Sequence, residues 1–151
     1  MSNRYEGAVR SAAAPAAAAV FLEIRNTSAR RLLIEEIGIT LGAATATGVG
    51  LARATAQGTG GASTATPQAE DPSQSASPVT LAVNAFTAAP TFTAAKTMRR
   101  LTLPAAIGAG LIWTWPQSDR LVVPASGSLV LYNSHTAAGA AGIECYVIHT
   151  E

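Results

Sequence analysis

Apolar and polar residues alternate along much of this chain, as they do in β-strands, whereas the 3.6-residue period of amphipathic helices is nearly absent. The pattern predicts strands over residues 19–25, 31–41, 79–86, 96–103, 110–115, 120–123, 128–133 and 143–150, with a further, weakly specified strand over 45–57. Proline, glycine and serine separate these segments at short spacing. Because no strand-helix alternation appears, we expect an all-β fold, an antiparallel β-sandwich or jelly roll.

The segment 31–41, RLLIEEIGITL, fits two patterns. Leu33, Ile34, Ile37 and Leu41 would form a helical stripe, whereas Leu33, Ile37, Ile39 and Leu41 would share one face of a strand. We predict a strand because the β-branched residues near its end disfavour a helix. Within it, the adjacent carboxylates Glu35 and Glu36 indicate a bulge or a strand edge.

The chain divides into an N-terminal arm, residues 1–18, and a single β-sandwich domain, residues 19–151. The arm is rich in alanine and is predicted to be flexible and extended. Within the domain, residues 58–77 consist mainly of small and polar residues, with no apolar side chain larger than alanine apart from two prolines. We expect a long surface loop there, either mobile or ordered on assembly.

Composition makes some functions improbable and indicates a thin core. The 151 residues carry a formal net charge of +1 with only 13% charged side chains, so nucleic acid is not expected as a partner. Of the 48% hydrophobic residues, 33 are alanine, which contributes little volume to a core. We therefore expect stability to depend on β-pairing and on neighbouring subunits.

Cys145 is the only cysteine, so no disulfide forms within the chain. No signal peptide or membrane-spanning segment is predicted, and synthesis in a reducing cytoplasm is expected. Cys145 and His149 would share one face of a strand about 13 Å apart, too far for one metal ion. Cys145 is predicted to be a small buried apolar residue instead of a ligand or nucleophile.

Catalytic signals are weak. Ser134, His135 and Asp119 supply the residue types of a serine triad, but no Gly-x-Ser-x-Gly turn accompanies them. The glycines of residues 58–61 and 139–142 lack the Gly-Lys-Ser/Thr ending of a phosphate-binding loop. We expect no enzyme activity, no metal and no cofactor, although an esterase would require Ser134 and His135.

Aromatic and arginine residues are the interface candidates. Trp113 and Trp115 should share one strand face, where they either pack in a core or subunit interface or stack on a sugar. The arginine pairs and the N-terminal residues are either solvated or bound to acidic groups of another subunit. These candidates are Arg4, Tyr5, Arg10, Arg30, Arg31, Arg99, Arg100, Trp113 and Trp115.

The second half of the chain contains RRLTLPAAIGAGLIWTWP (99–116), LVVPASGSLVLYN (121–133) with its Pro-x-x-Gly-x-x-Leu-like turn, and the last strand IECYVIHTE (143–151). These segments resemble small jelly-roll virion proteins of tailed bacteriophages. RRLLIEEIGITLGAATATGVGLAR (30–53) is also similar. These are patterns of strands and turns, and they carry no catalytic residues.

The resemblance implies an all-β virion subunit, often trimeric. We expect a capsid decoration, or cement, protein that binds the major capsid protein or other virion subunits without covalent bonds, in the virion and away from membranes. The alternative is a tail or fibre-base module that binds a host receptor or glycan through Trp113, Trp115 and residues 58–77.

Overall fold

The computed structural model describes residues 3–61 and 63–151, and antiparallel strands dominate these residues. The strands are β1 (Arg4–Ser11), β2 (Val20–Asn26), β3 (Leu32–Thr40), β4 (Thr47–Ala56), β5 (Thr59–Gly60), β6 (Ser63–Ala65), β7 (Gln68–Ala69), β8 (Val79–Val83), β9 (Phe86–Ala88), β10 (Thr91–Phe92), β11 (Arg99–Leu103), β12 (Gly110–Thr114), β13 (Leu121–Val123), β14 (Ser128–Asn133) and β15 (Ile143–Thr150). Single 3-10 turns occupy Ala94–Lys96 and Gln117–Asp119. All the strands predicted from the pattern are present, with ends that differ by a few residues.

Two sheets hold nearly all the strands. The first sheet has the order β12-β3-β15-β1-β7, and β13 also pairs with β3. The second has the order β10-β4-β14-β2-β8-β6, and β11 also pairs with β4. Strands β5 and β9 form a separate pair. The longest ladder joins β1 and β15, so residues 4–11 lie beside residues 143–150.

One apolar core lies between the two sheets. Ile37, Ile39 and Val147 of the first sheet belong to the same buried cluster as Leu51 and Leu131 of the second. Cys145 also lies in this cluster and is 3% exposed, as predicted. The predicted all-β sandwich is therefore confirmed; the finer arrangement of a jelly roll stays a prediction.

The segment with two possible patterns is a strand, β3. Its partner residues on β15 shift from Glu36 opposite Ile148 to Ile34 opposite His149, so Glu35 is the extra residue of a bulge. The bulge keeps Ile34 and Ile37 in the core although three positions separate them. This geometry is why the sequence also matched a helical stripe.

The N-terminal arm is the first correction. Residues Arg4–Ser11 are not an arm outside the domain but a strand that pairs along its full length with β15. Its side chains alternate, with Tyr5, Val9 and Ser11 buried and Arg4 exposed. Only the residues between β1 and β2 remain as an extended connection.

The predicted long loop is the second correction. Residues 58–77 contain the short strands β5, β6 and β7, which pair with β9, β8 and β1 respectively. Strand β6 extends the second sheet and β7 extends the first, so this segment covers one lateral edge of the sandwich. Because the segment lacks large apolar side chains, its backbone hydrogen bonds to neighbouring strands hold it in place instead.

A second, smaller cluster covers the outer face of the second sheet. Its buried members are Val20, Ala52, Val130 and Tyr132, and Phe86 and Phe92 pack against them. The Tyr132 ring lies 4.6 Å from that of Phe92, and its hydroxyl is 2.5 Å from Thr97 Oγ1. The chain thus supplies its own cover for this face.

Glu23 is a fully buried carboxylate on β2. Arg25 Nη2 donates to Glu23 Oε2 over 2.7 Å, and the backbone N–H of Gly58 donates to Glu23 Oε1 over 3.1 Å. Because a buried charge is costly without partners, these bonds hold the start of the 58–77 segment against the sheet.

Candidate interaction surface

The N-terminal candidates have three different environments. Tyr5 is 4% exposed, and its ring stacks on His149 with 5.1 Å between centroids. It therefore has no surface to offer a partner, which corrects its selection as a docking residue. Arg10 is exposed, and its Nε lies 4.0 Å from Glu144 Oε1.

Arg4 belongs to an ion-pair network within the chain. Its Nε donates to Glu35 Oε2 over 2.9 Å and its Nη1 donates to Glu70 Oε1 over 2.5 Å. Arg120 Nη2 lies 2.7 Å from the other oxygen of Glu35. The hydrogen bond to Glu35 raises the pKa of Arg4. Arg4 thus ties β1 to the bulge of β3 and to the residues after β7.

His149 and Ser77 form a buried polar pair. The Nε2 atom of His149 is 3.1 Å from Ser77 Oγ, which also accepts from the backbone N–H of Val79. Burial lowers the pKa of His149 from 6.5 to about 4. The ring is therefore neutral at pH 7, consistent with its stacking on Tyr5 in the interior.

Trp113 lies on the core side of β12 and Trp115 directly follows this strand; both are partly buried and pack against the main cluster. The guanidinium of Arg99 lies over the Trp115 ring, 4.3 Å from its centroid. Arg99 thus occupies one face of that ring through a cation–π contact, and a sugar would have to displace it there.

The remaining arginine candidates lie at two places. Arg30 and Arg31 are exposed in the turn between β2 and β3. Arg100 is exposed on β11, where its Nη2 donates to the carbonyl of Ser134 over 2.8 Å. The structure therefore does not bring the nine candidates together; it gathers Arg99, Arg100 and the tryptophans near one lateral edge.

That edge also carries large apolar side chains in solvent. Among the described residues, the large hydrophobic side chains with the greatest exposure all come from residues 98–112, which run from β11 through a loop into β12. We name the following four residues the apolar edge: Met98 (38% exposed), Leu101 (46%), Ile107 (74%) and Ile112 (62%). All four lie within residues 98–112, and large apolar side chains exposed close together in the chain are candidates for a protein contact site.

The second feature is a groove on the outer face of the first sheet, which no pattern in the sequence indicates. It is open to solvent and has a volume of about 590 Å³. We name it the Tyr146 groove; its lining is Glu6, Gly7, Ala8, Ala65, Thr66, Gln68, Tyr146 and Ile148. Tyr146 also lines a second depression on its other side, together with Ile112.

Tyr146 forms the boundary between these two depressions. Its ring lies over Gly38, its direct partner on β3, and its hydroxyl donates to Glu36 Oε1 over 2.5 Å. This bond, with partial burial and the charge of Glu36, raises the pKa of Tyr146 to about 12. The space at Gly38 and the hydrogen bond to Glu36 thus hold the Tyr146 ring against the outer face of the first sheet.

Two of the catalytic candidates, His135 and Asp119, form hydrogen bonds with different neighbours. His135 Nδ1 accepts from the backbone N–H of Ala137 over 3.2 Å, and Asp119 accepts from Ser118 over 3.2 Å. Burial raises the pKa of Cys145 to about 12, so its thiol stays protonated. Within residues 3–61 and 63–151, no group of three or more histidine, cysteine, aspartate or glutamate residues has a metal-binding arrangement.

Comparison with family models, with curated proteins and with solved structures gives no match to this chain. In the part of the chain that the structure describes, no helix has the length and apolar character needed to cross a membrane.

Proposed function

We propose that this protein is a structural virion protein of a tailed bacteriophage, a capsid decoration or cement subunit that binds and stabilises the head shell by non-covalent contacts. The observation that carries the proposal is the apolar edge on an all-β sandwich. Exposed apolar groups with arginines beside them suit binding to protein, where aromatic and arginine residues dominate contact energy.

The sequence resemblance to phage virion proteins supports the same function. One of its segments, residues 99–116, carries most of the apolar edge. The partner is then the major capsid protein or another virion subunit. Many modest contacts repeated over a shell add up through multivalency, so each subunit needs no deep binding pocket.

We further propose that the subunit acts as a homo-oligomer, with three copies favoured. A trimer has a native mass near three times the 15.3 kDa of the chain. Light scattering coupled to size exclusion at two concentrations measures this mass. A mass of 15.3 kDa at both concentrations contradicts the trimer.

Binding to the shell is tested with heads and tails isolated from a phage in which the gene for this chain has been deleted. Purified chain is added to each fraction and sedimented, with heat-unfolded chain as the control. We expect saturable co-sedimentation with heads and none with tails. Co-sedimentation with tails alone would instead support the tail or fibre-base function.

A further inference from the structure

We propose that copies of this chain bind one another head to tail, with the apolar edge of one copy packed into the Tyr146 groove of the next. The inference deepens the homo-oligomer of the proposed function by assigning its two contact surfaces. Both surfaces belong to the same chain, so the occupant of the groove is a second copy.

The first argument is the difference between the two outer faces of the sandwich. On the second sheet, Tyr132 lies over Gly50 and is covered by Phe92 and Thr97 of its own chain. On the first sheet, Tyr146 lies over Gly38 in the same way but lines two open depressions. The same tyrosine–glycine arrangement is therefore complete on one face and uncovered on the other.

The second argument is that both surfaces are apolar. The groove has an apolar floor, to which Ala8, Tyr146 and Ile148 contribute. Leu101 and Ile107 project into solvent from the opposite lateral edge, and burying them against this floor removes apolar area from water on both copies. Ile112, the member of the apolar edge on β12, lines the second depression, on the other side of Tyr146 from the groove.

The third argument is charge. Among the described residues, Glu6 and Glu36 on the groove face form no ion pair with a basic side chain. Within the same residues, Lys96, Arg99 and Arg100 beside the apolar edge form no ion pair with an acidic one. Packing the basic edge on the acidic face brings opposite charges together in a head-to-tail contact.

The symmetry of the contact follows because the apolar edge and the Tyr146 groove are different surfaces of the chain. One surface is a lateral edge of the sandwich and the other is a sheet face, so each copy uses two different patches. Such a heterologous contact closes into a ring when the rotation between copies allows it, and a ring of three has every groove occupied.

The test is disulfide cross-linking between differently tagged, co-expressed chains. One chain carries Leu101→Cys, and the other carries Ala8→Cys, Thr66→Cys or Ile148→Cys in the groove. The control partner is Thr59→Cys, which is exposed on β5 and belongs to neither surface. Native Cys145 is buried and gives little background.

We expect at least one groove position to cross-link to Leu101→Cys at least ten-fold more than the Thr59→Cys control does. Cross-linking at the control level for all three positions overturns the contact. So does a product in which Leu101→Cys joins only to Leu101→Cys, because that pattern belongs to a two-fold symmetric interface.

A second pair of variants keeps the test independent of cysteine chemistry. Leu101→Glu places a charge in the contact, and we expect the native mass to fall to that of one chain. Thr102→Glu, the next residue on β11, points to the opposite side of the strand and should leave the mass unchanged. Equal masses for the two variants overturn the contact.

The outcome separates the contact from the proposed function. A chain that sediments with heads but gives no cross-link contradicts the contact alone. A chain that cross-links as expected but sediments with neither heads nor tails contradicts the decoration function alone.

Discussion

Tyr146 lies over Gly38 so closely that a Cβ atom at position 38 would come within 1.9 Å of Tyr146 Cε1. The two residues are direct cross-strand partners, and glycine leaves the space that the ring occupies. Tyr132 and Gly50 repeat the relationship on the second sheet, where the Cβ would lie 2.4 Å from Tyr132 Cε1. Glycine opposite tyrosine thus lets an aromatic ring lie flat on each outer face.

The hydrogen bond between Tyr146 and Glu36 gives the first prediction. Glu36→Gln removes the carboxylate charge, so the pKa of Tyr146 should fall from about 12 towards 10.0. Ultraviolet titration of tyrosinate measures it, and Tyr146→Phe identifies which transition belongs to this residue. Glu144→Gln, on the same strand, should leave the titration unchanged; an unchanged titration in Glu36→Gln would refute the assignment.

His149 gives a prediction about acid. Burial lowers its pKa to about 4 in the folded chain, against an ordinary value of 6.5, so below pH 6.5 the unfolded state binds the proton more readily. The contribution of neutral His149 to stability is present above pH 6.5 and is lost as the pH falls towards 4, at up to about 1.4 kcal/mol per unit.

Urea unfolding at several pH values measures this loss. His149→Gln should flatten the dependence between pH 6.5 and 4, whereas His135→Gln, at the partly exposed second histidine, should retain it. Equal slopes in the native chain and in His149→Gln would show that another group causes the acid sensitivity.

The buried ion pair of Glu23 and Arg25 gives a prediction about stability. Glu23→Ala removes the ion-pair partner of Arg25 and the acceptor of the Gly58 N–H, and we expect a loss of about 3–5 kcal/mol in the free energy of unfolding. Glu144→Ala removes half of an exposed pair with Arg10 and should cost under about 1 kcal/mol. Similar losses in the two variants would contradict this account.

Variants at Trp115 and Arg99 distinguish a packing role of Trp115 from a role in sugar binding. Because Arg99 covers one face of its ring, Trp115→Ala and Arg99→Ala should both lower stability, the latter by about 0.5–1 kcal/mol for the lost cation–π contact. Arg31→Ala, in an exposed turn, should have no measurable effect. Saturable glycan binding that disappears with Trp115→Ala would favour the receptor-binding alternative.

The strands with β-branched residues could be predicted from the sequence because their alternation is local. The sequence pattern does not predict strand β1, because charged residues and Gly7 obscure its alternation. Tyr5 and Val9 nevertheless point inward while Arg4 points outward. Short strands such as β6 carry no apolar signal, and only the register of a distant partner defines them.

The candidate surface was predictable in part. Residue type alone predicts four of the interface residues that lie near the apolar edge: Trp113, Trp115, Arg99 and Arg100. The exposure of Leu101 could not be predicted, because Leu103 on the same strand is buried and has the same local pattern. The Tyr146 groove depends on pairing between residues 38 and 146, which no local pattern contains.

The stability of DNA-filled heads tests the central claim most directly. Heads that lack this chain are heated with and without added purified protein, and DNA release is followed with a dye that cannot enter intact heads. The account predicts release at a higher temperature when the chain is bound, and a smaller shift with Leu101→Glu than with Thr102→Glu. Release at the same temperature with and without saturating protein would contradict the claim that the chain stabilises the shell.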